Sequence, residues 1–177
     1  MVTIPMSMHI GAPCTPKVKV GDTVYVGQVI GDSDAFVSAP IHSSVSGTVK
    51  KIDTILSSNG ANTPCVIIES DGEQTPDPSI QPPKVENNDD LVKAIRNSGL
   101  VGLGGAGFPA HVKLNPAPEV KAKVDTLVIN GAECEPYLTA DVREILENSL
   151  DIISGIQTVS KLLEVKEAII GIEDNKP

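Results

Sequence analysis

A proline-rich stretch separates two regions of different hydrophobic period in this 177-residue chain, and that change of period is what most limits how it can fold. From Asp71 to Pro83, four prolines stand among Asp, Ser and Gln, a composition too poor in apolar residues to pack and suited to an extended connector. Before it, from His9 to about Glu69, short β-branched runs (Lys17-Val18-Lys19-Val20, Thr23-Val24-Tyr25-Val26, Gln28-Val29-Ile30, Cys65-Val66-Ile67-Ile68) are punctuated by Gly21-Asp22, Gly27, Gly31 and Gly60. That spacing predicts a small all-β sandwich or barrel. The expected division is a β domain over residues 8–70, a linker over 71–86 and a mixed α/β domain over 87–177.

In the third segment Asn88 or Asp89 can cap a helix that turns Leu91, Ala94 and Ile95 inward, and Gly99 sits where a left-handed C-cap is wanted. Thr126-Leu127-Val128-Ile129 and Ala168-Ile169-Ile170-Gly171-Ile172 read as fully buried strands. Between them Val142, Ile145, Leu146, Ile152, Ile153, Ile156, Val159, Leu162 and Leu163 follow helical spacing, with a break near Asn148 and Ser149. Strand, helical crossover and strand make a parallel βαβ unit, expected to be right-handed. Two strands and one crossover leave an uncovered edge and much apolar surface, so this half is expected to be truncated or to depend on a partner.

Composition removes several function classes. With 23 acidic against 14 basic residues, a formal charge of −9 and 2% aromatics, the chain has neither the charge nor the stacking platforms for nucleic acid. No apolar run approaches the roughly 20 residues of a membrane helix, and the first eight residues lack a secretory signal; a soluble chain is expected. Cys14, Cys65 and Cys134 are distant and odd in number, which favours a reducing compartment over a disulfide framework. No Cys-x-x-Cys pair exists, so no all-cysteine zinc or iron–sulfur site is expected here. His9, His42 and His111 are isolated and read as structural.

Val18-Lys19-Val20-Gly21-Asp22-Thr23-Val24-Tyr25-Val26-Gly27-Gln28-Val29-Ile30, then Ser38-Ala39-Pro40 and Val45-Ser46-Gly47-Thr48-Val49, resemble biotinyl and lipoyl carrier domains. Those carriers acylate a lysine at a hairpin tip, whereas the tip here would be Ser33-Asp34-Ala35. A structural or docking module of the same shape is therefore favoured over a swinging arm.

Gly102, Gly104 and Gly107 match G-x-G-x-x-G, but a helix rather than a strand precedes them and Pro109 follows closely, so the dinucleotide context is missing. The glycines do let backbone N–H groups approach a phosphate or a planar ring; the alternative is a turn that only permits tight packing. Lys113 could add a charge for phosphate or be a solvated lysine. Asn130-Gly131-Ala132-Glu133-Cys134-Glu135-Pro136 follows a strand, where open α/β sheets place ligands. Glu133 and Glu135 equally suit a helix N-terminus with Pro136 as its first residue. Cys134, flanked by carboxylates and with no histidine near it in sequence, reads as a small packed residue rather than a nucleophile.

The run Gly99 to Pro109 with His111-Val112-Lys113-Leu114, and the run Ile129 to Asp141, resemble the RnfC family of the Rnf electron transport complex and, more loosely, the flavin- and NADH-binding subunit of respiratory complex I. His9-Ile10-Gly11-Ala12-Pro13 and Phe36-Val37-Ser38-Ala39-Pro40-Ile41-His42 look like the barrel-sandwich hybrid domain of the same RnfC family. The resemblance spans about Met8 to Pro177. It implies a barrel-sandwich hybrid followed by part of a Rossmann-like flavin- and nucleotide-binding domain, in an FMN-bearing, NAD(H)-reacting subunit of an ion-translocating ferredoxin:NAD oxidoreductase. By that resemblance Gly102, Gly104, Gly105, Ala106, Gly107 and Phe108 line the flavin, Lys113 approaches it, Asn130 and Glu133 hydrogen-bond it, and Glu135 sits near flavin and nicotinamide as the catalytic candidate. Two [4Fe–4S] clusters are implied only in a part absent from this sequence, no metal site is expected within it, and the fragment alone is expected to be inactive. The implied partners are the other Rnf subunits, membrane subunits included, at the cytoplasmic face of the membrane. Ala110 departs from the threonine frequent after Phe-Pro in the family. Two other readings stay open: a carrier-like or scaffolding module, and a cobalamin reductase of the same superfamily, in which the glycine loop usually precedes the barrel.

Overall fold

The computed structural model describes residues 1–57 and 60–176 and divides them into two compact units, 1–113 and 114 onward. The first is built on two antiparallel sheets. One has the order β1 (Val2–Pro5), β7 (Asn62–Ser70), β6 (Gly47–Leu56), β3 (Thr23–Val24); the other has the order β2 (Thr15–Pro16), β4 (Val29–Asp32), β5 (Ile41–His42). Strands β6 and β7 pair from Gly47↔Ser70 to Leu56↔Asn62, with a register shift between Val49 and Lys51 that turns the strand edge. Alternation along the strands aims Ile4, Val24, Ile30, Ile41, Val49, Val66 and Ile68 into one core shared by both sheets, joined by Met6, Cys14 and Val18. This is the expected barrel-sandwich.

One expected strand is a turn instead. Lys17 to Val20 lies outside the strands: the Lys19 N–H donates to Asp22 Oδ2 at 2.8 Å, the Asp22 N–H returns to the Lys19 carbonyl at 3.1 Å, and Gly21 takes φ +95°. A turn that satisfies its own backbone groups competes successfully with a short β-branched run.

The proline-rich stretch is also less free than its composition implies. Val26 N–H donates to Thr75 O at 2.9 Å, Asp77 N–H donates to Val26 O at 2.9 Å, and Thr75 N–H donates to Ser46 Oγ at 2.9 Å. Ile80 Cδ1 lies 2.6 Å from where a Cβ on Gly27 would stand, so residues 75–80 strap onto the barrel. Backbone hydrogen bonds to a sheet edge need no apolar side chains.

Helix α1 (Asn88–Asn97) follows, capped one residue earlier than expected: Asn87 Oδ1 accepts the Asp90 N–H at 2.9 Å. Gly99 supplies the left-handed residue past its end at φ +73°. The first unit closes with a four-residue helix, α2 (Ala110–Lys113). Within it the sequence division at 71–86 is therefore bridged by the strap, and the compact units divide only after Lys113.

The second unit holds α3 (Pro118–Lys121), β8 (Thr126–Asn130), α4 (Ala140–Glu147), α5 (Ser149–Leu163) and β9 (Glu167–Gly171). The two strands pair in parallel, from Thr126↔Glu167 to Asn130↔Gly171, and the helices break at Asn148, as the periodicity predicts. The strands are not buried: every β9 residue is exposed, and Val128 is 64% exposed. Val128 and Ile169, neighbours in register and so on one face of this two-stranded sheet, are both exposed, and so is Ile170 on the other face.

Candidate functional site

The residues singled out for a cofactor fall in both units: Gly102 to Phe108 and Lys113 in the first, Asn130, Glu133 and Glu135 in the second. In the first unit an antiparallel bridge, Val101↔Pro109, pinches the chain into a closed loop. Gly102 N–H donates to Phe108 O at 2.9 Å and Ala110 N–H to Leu100 O at 3.0 Å, while Pro109 is fully buried beneath. The loop is thus a hairpin-like excursion on a fixed base. It is not a strand-to-helix turn.

Its glycines do different jobs. Gly107 has φ +68°, and a Cβ there would stand 3.1 Å from His9 Cα and 3.2 Å from Met8 O, so the fold itself requires glycine at that position. At Gly104 and Gly105 an added Cβ would meet nothing within 4 Å, and neither has positive φ. Contact with an added Cβ therefore gives no reason for glycine at these two positions. A ligand that must approach the backbone does give one. The loop borders an open concavity of ≈ 480 Å³, which Gly102, Gly105, Ala106 and Gly107 line together with Met8 to Ile10. Lys113 is exposed at the end of α2.

His111, on the same short helix, was assigned no functional role by sequence. It is 8% exposed, and its Nδ1 has no hydrogen-bond partner among the described residues. Burial and the Arg96 charge push its pKa below the ordinary imidazole value, against a smaller opposing effect from the Phe36 backbone.

In the second unit, Asn130 to Glu135 follow the carboxyl end of β8. Asn130 Oδ1 accepts the Ala132 N–H at 3.1 Å. Glu133 Oε1 accepts the N–H groups of Asp141 and Val142 at 3.0 and 3.1 Å, so it caps α4 from eight residues upstream. The cap expectation therefore holds for Glu133 but not for Pro136, which stands in a turn ahead of Tyr137 at φ +70°, with α4 starting only at Ala140. Glu135 is exposed. Cys134 is exposed as well, not packed, because it rides this irregular loop rather than a strand or helix face. Gly131 is needed for close approach: an added Cβ would stand 3.1 Å from Gly171 O and 3.2 Å from Ile145 Cδ1.

Sequence reasoning missed Glu173. It follows the carboxyl end of β9, accepts the Glu133 N–H at 3.4 Å and pairs with Lys176 at 3.8 Å; the signal for it was the same strand-end position that marked Glu133. The carboxyl ends of both strands thus carry acidic groups. The unit's concavity of ≈ 450 Å³ lies instead at the amino ends, beside the Lys121–Glu164 ion pair. Among the described residues no group of three or more His, Cys, Asp or Glu side chains is placed to hold a metal ion.

The hairpin tip of the barrel is tied down. Arg96 of α1 donates to Asp32 Oδ1 and to the Ser33 carbonyl, both at 2.8 Å, and Ser33 Oγ accepts the Ala35 N–H at 3.3 Å. Burial raises the Asp32 pKa, but hydrogen bonds from Arg96 and the Ser33 amide, with the Arg96 and Lys17 charges, outweigh it and hold the carboxyl below its usual range.

Comparison with known proteins finds two family matches, the second of which begins within the first compact unit. The RnfC barrel sandwich hybrid domain matches residues 1–73 and the Nuo51 FMN-binding domain matches residues 95–177. The chain is 49% identical, over 99% of its length, to the C subunit of a Na⁺-translocating ferredoxin:NAD⁺ oxidoreductase complex from Acetobacterium woodii, of which it covers 40%. It is 47% identical over 99% of its length to the corresponding subunit of a proton-translocating complex from Clostridium ljungdahlii, covering 39%. A third relative, the C subunit of an ion-translocating oxidoreductase complex from Pseudomonas aeruginosa, is 41% identical over 98% of the chain, which covers 23% of it. The chain spans two fifths or less of the length of these relatives.

Proposed function

This chain belongs to the RnfC family, and from that membership we propose that the whole protein is the FMN- and NAD(H)-binding subunit of an ion-translocating ferredoxin:NAD oxidoreductase. The observation that carries the reading is Gly105, which lines the concavity and where an added Cβ would meet nothing within 4 Å, within a segment matched by an FMN-binding domain. Bound FMN would supply the exchange of a hydride with nicotinamide and of single electrons with iron–sulfur clusters. The chain's own residues would bind and orient it: Gly102, Gly104, Gly105, Ala106, Gly107 and Phe108 through backbone approach, Lys113 by its charge, Asn130 by its amide, and Glu133 by the carboxylate oxygen that does not cap α4. The [4Fe–4S] clusters and the contacts to membrane subunits belong to the longer protein, which would sit peripherally at the cytoplasmic face. Among the described residues no helix is long and apolar enough to cross a membrane. The domain division at 71–86 goes with this reading.

Gly105→Val tests it. Because a Cβ there would meet nothing within 4 Å, the variant should fold normally yet lose most of the FMN that the purified whole protein retains. A wild type without FMN, or a variant that keeps it equally well, overturns the assignment.

Glu135 is assigned to tuning. A carboxylate beside the flavin opposes extra negative charge on the reduced form, worth about 1 to 4 kcal/mol at a partly screened separation. Glu135→Gln should therefore raise the flavin midpoint potential and leave the affinity for oxidised FMN nearly unchanged; an unaltered potential in a redox titration removes that role.

The scaffolding alternative keeps one supporting feature, the barrel without a tip lysine. Arg96 holds that tip against α1, which disfavours a swinging arm. Intact mass after expression with biotin or lipoate ligase should show no addition.

A further inference from the structure

We propose that the Met8–Ile10 segment of the barrel domain forms a wall of the cofactor pocket, and that His9 is the positioning residue that holds this wall under the glycine loop. The inference rests on the reading that the loop takes FMN, and it extends the site to residues outside the FMN-binding match at 95–177.

The loop's closing end rests on this segment. Ile10 N–H donates to Gly107 O at 3.3 Å, and the close approach of Gly107 to His9 Cα and Met8 O, at φ +68°, would crowd and strain any side chain there. All three segment residues line the concavity beside the loop. Met8 is 55% and Ile10 48% exposed, and Leu103 across the loop is 91% exposed. Three exposed apolar side chains beside a floor of glycine backbone form a surface for a planar ring that is apolar on its faces and polar at its edges, which is the chemistry of an isoalloxazine.

What fixes the segment is the His9 ring. Its Nε2 lies 3.0 Å from the Ala39 carbonyl oxygen and 3.2 Å from the Ala39 amide nitrogen, and its Nδ1 lies 3.1 Å from the Ile10 carbonyl, so the ring ties the two stretches together in either neutral tautomer. A second tie, Ala12 N–H to Val37 O at 3.0 Å, joins the same two stretches. The barrel is then no passive neighbour of the loop, because its first long connection sets the height of one pocket wall.

The test uses the whole protein, with FMN affinity read by flavin fluorescence and the apoprotein melted in parallel. Ile10→Ser removes an apolar wall from a half-exposed position, so FMN should bind about tenfold or more weakly while the apoprotein melts nearly as the wild type. His9→Leu, which can make no hydrogen bond to Ala39 or Ile10, should weaken FMN binding similarly, and His9→Gln, whose amide can donate to or accept from the Ala39 backbone, should restore most of it. If the wild type binds FMN and Ile10→Ser binds it equally well, or if Gln at position 9 is no better than Leu, the wall proposal is overturned while the loop reading stands. A wild type that takes up no FMN overturns both.

Discussion

The two compact units place their apolar residues in opposite ways. In the first, Met6, Val24, Ile30, Val49, Val66 and Ile68 are completely shielded, contributed by both sheets and the first connection. In the second, the buried apolar side chains among the described residues are Leu162 and Leu163 at the end of α5, while Val128, Leu146, Leu150, Ile169 and Ile170 remain 40% to 84% exposed. The sequences are comparably apolar, so the contrast is one of layers. Two sheets facing each other enclose a core; one two-stranded sheet with few layers around it cannot. The same local reasoning therefore succeeds for burial in the barrel and fails for β8 and β9, because an apolar strand is buried only if something lies on each of its faces.

Glycine-to-alanine substitutions sharpen this contrast, since identical chemistry should give opposite signs in the two units. At Gly47, where β6 begins, an added Cβ would stand 2.1 Å from Glu69 O at φ +151°. Strain and overpacking there should together cost on the order of 3 kcal/mol or more, visible as a large fall in the melting temperature of the barrel. A Gly47→Ala variant that melts within a degree of the wild type would mean that the barrel is as yielding as the second unit.

The next effect is the tie between the barrel tip and α1. Replacing Arg96 with Met leaves Asp32 half-buried without its cationic partner and should cost about 1.5 to 3 kcal/mol. The pH dependence has a definite sign. The Asp32 carboxyl is held below its ordinary value, so its contribution is complete above the unfolded carboxylate pKa of about 4 and is lost as pH falls through the lower folded value. Wild type and Arg96→Met should therefore differ most near neutrality and converge in acid. A stability gap that stays constant from pH 7 to pH 2 would remove the ion pair from the explanation.

Features set by neighbours in the chain were legible in the sequence: the change of period, the cap near Asn88, the left-handed Gly99, the break at Asn148 and the parallel pairing of β8 with β9. So was the failure of the glycine run to meet the dinucleotide context, because a helix visibly precedes it. What stayed hidden depends on partners far along the chain. Arg96 reaches Asp32 across 64 positions, Thr75 reaches Val26 through backbone atoms that carry no side-chain signature, and Glu133 caps a helix eight residues on, beyond the three-residue span of the usual capping pattern. Among the loop glycines, only the structure separates Gly107, where an added Cβ would crowd His9 and Met8, from Gly104 and Gly105, where it would meet nothing within 4 Å.

The smallest expected effect lies in the second unit and reverses the sign found at Gly47. Gly155 stands in the interior of α5, its φ is not positive, and a Cβ added there would meet nothing within 4 Å. Glycine inside a helix costs roughly 0.5 to 1 kcal/mol relative to alanine, mainly through the freedom it gives the unfolded chain. Gly155→Ala should then stabilise by about that amount, since no packing penalty opposes it. A chemical melt followed by helical circular dichroism in the whole protein would register the gain as a shift of the midpoint with an unchanged slope. If alanine destabilises instead, α5 packs through Gly155 against a layer supplied by the rest of the longer protein, and the open character of this unit would belong only to these 177 residues.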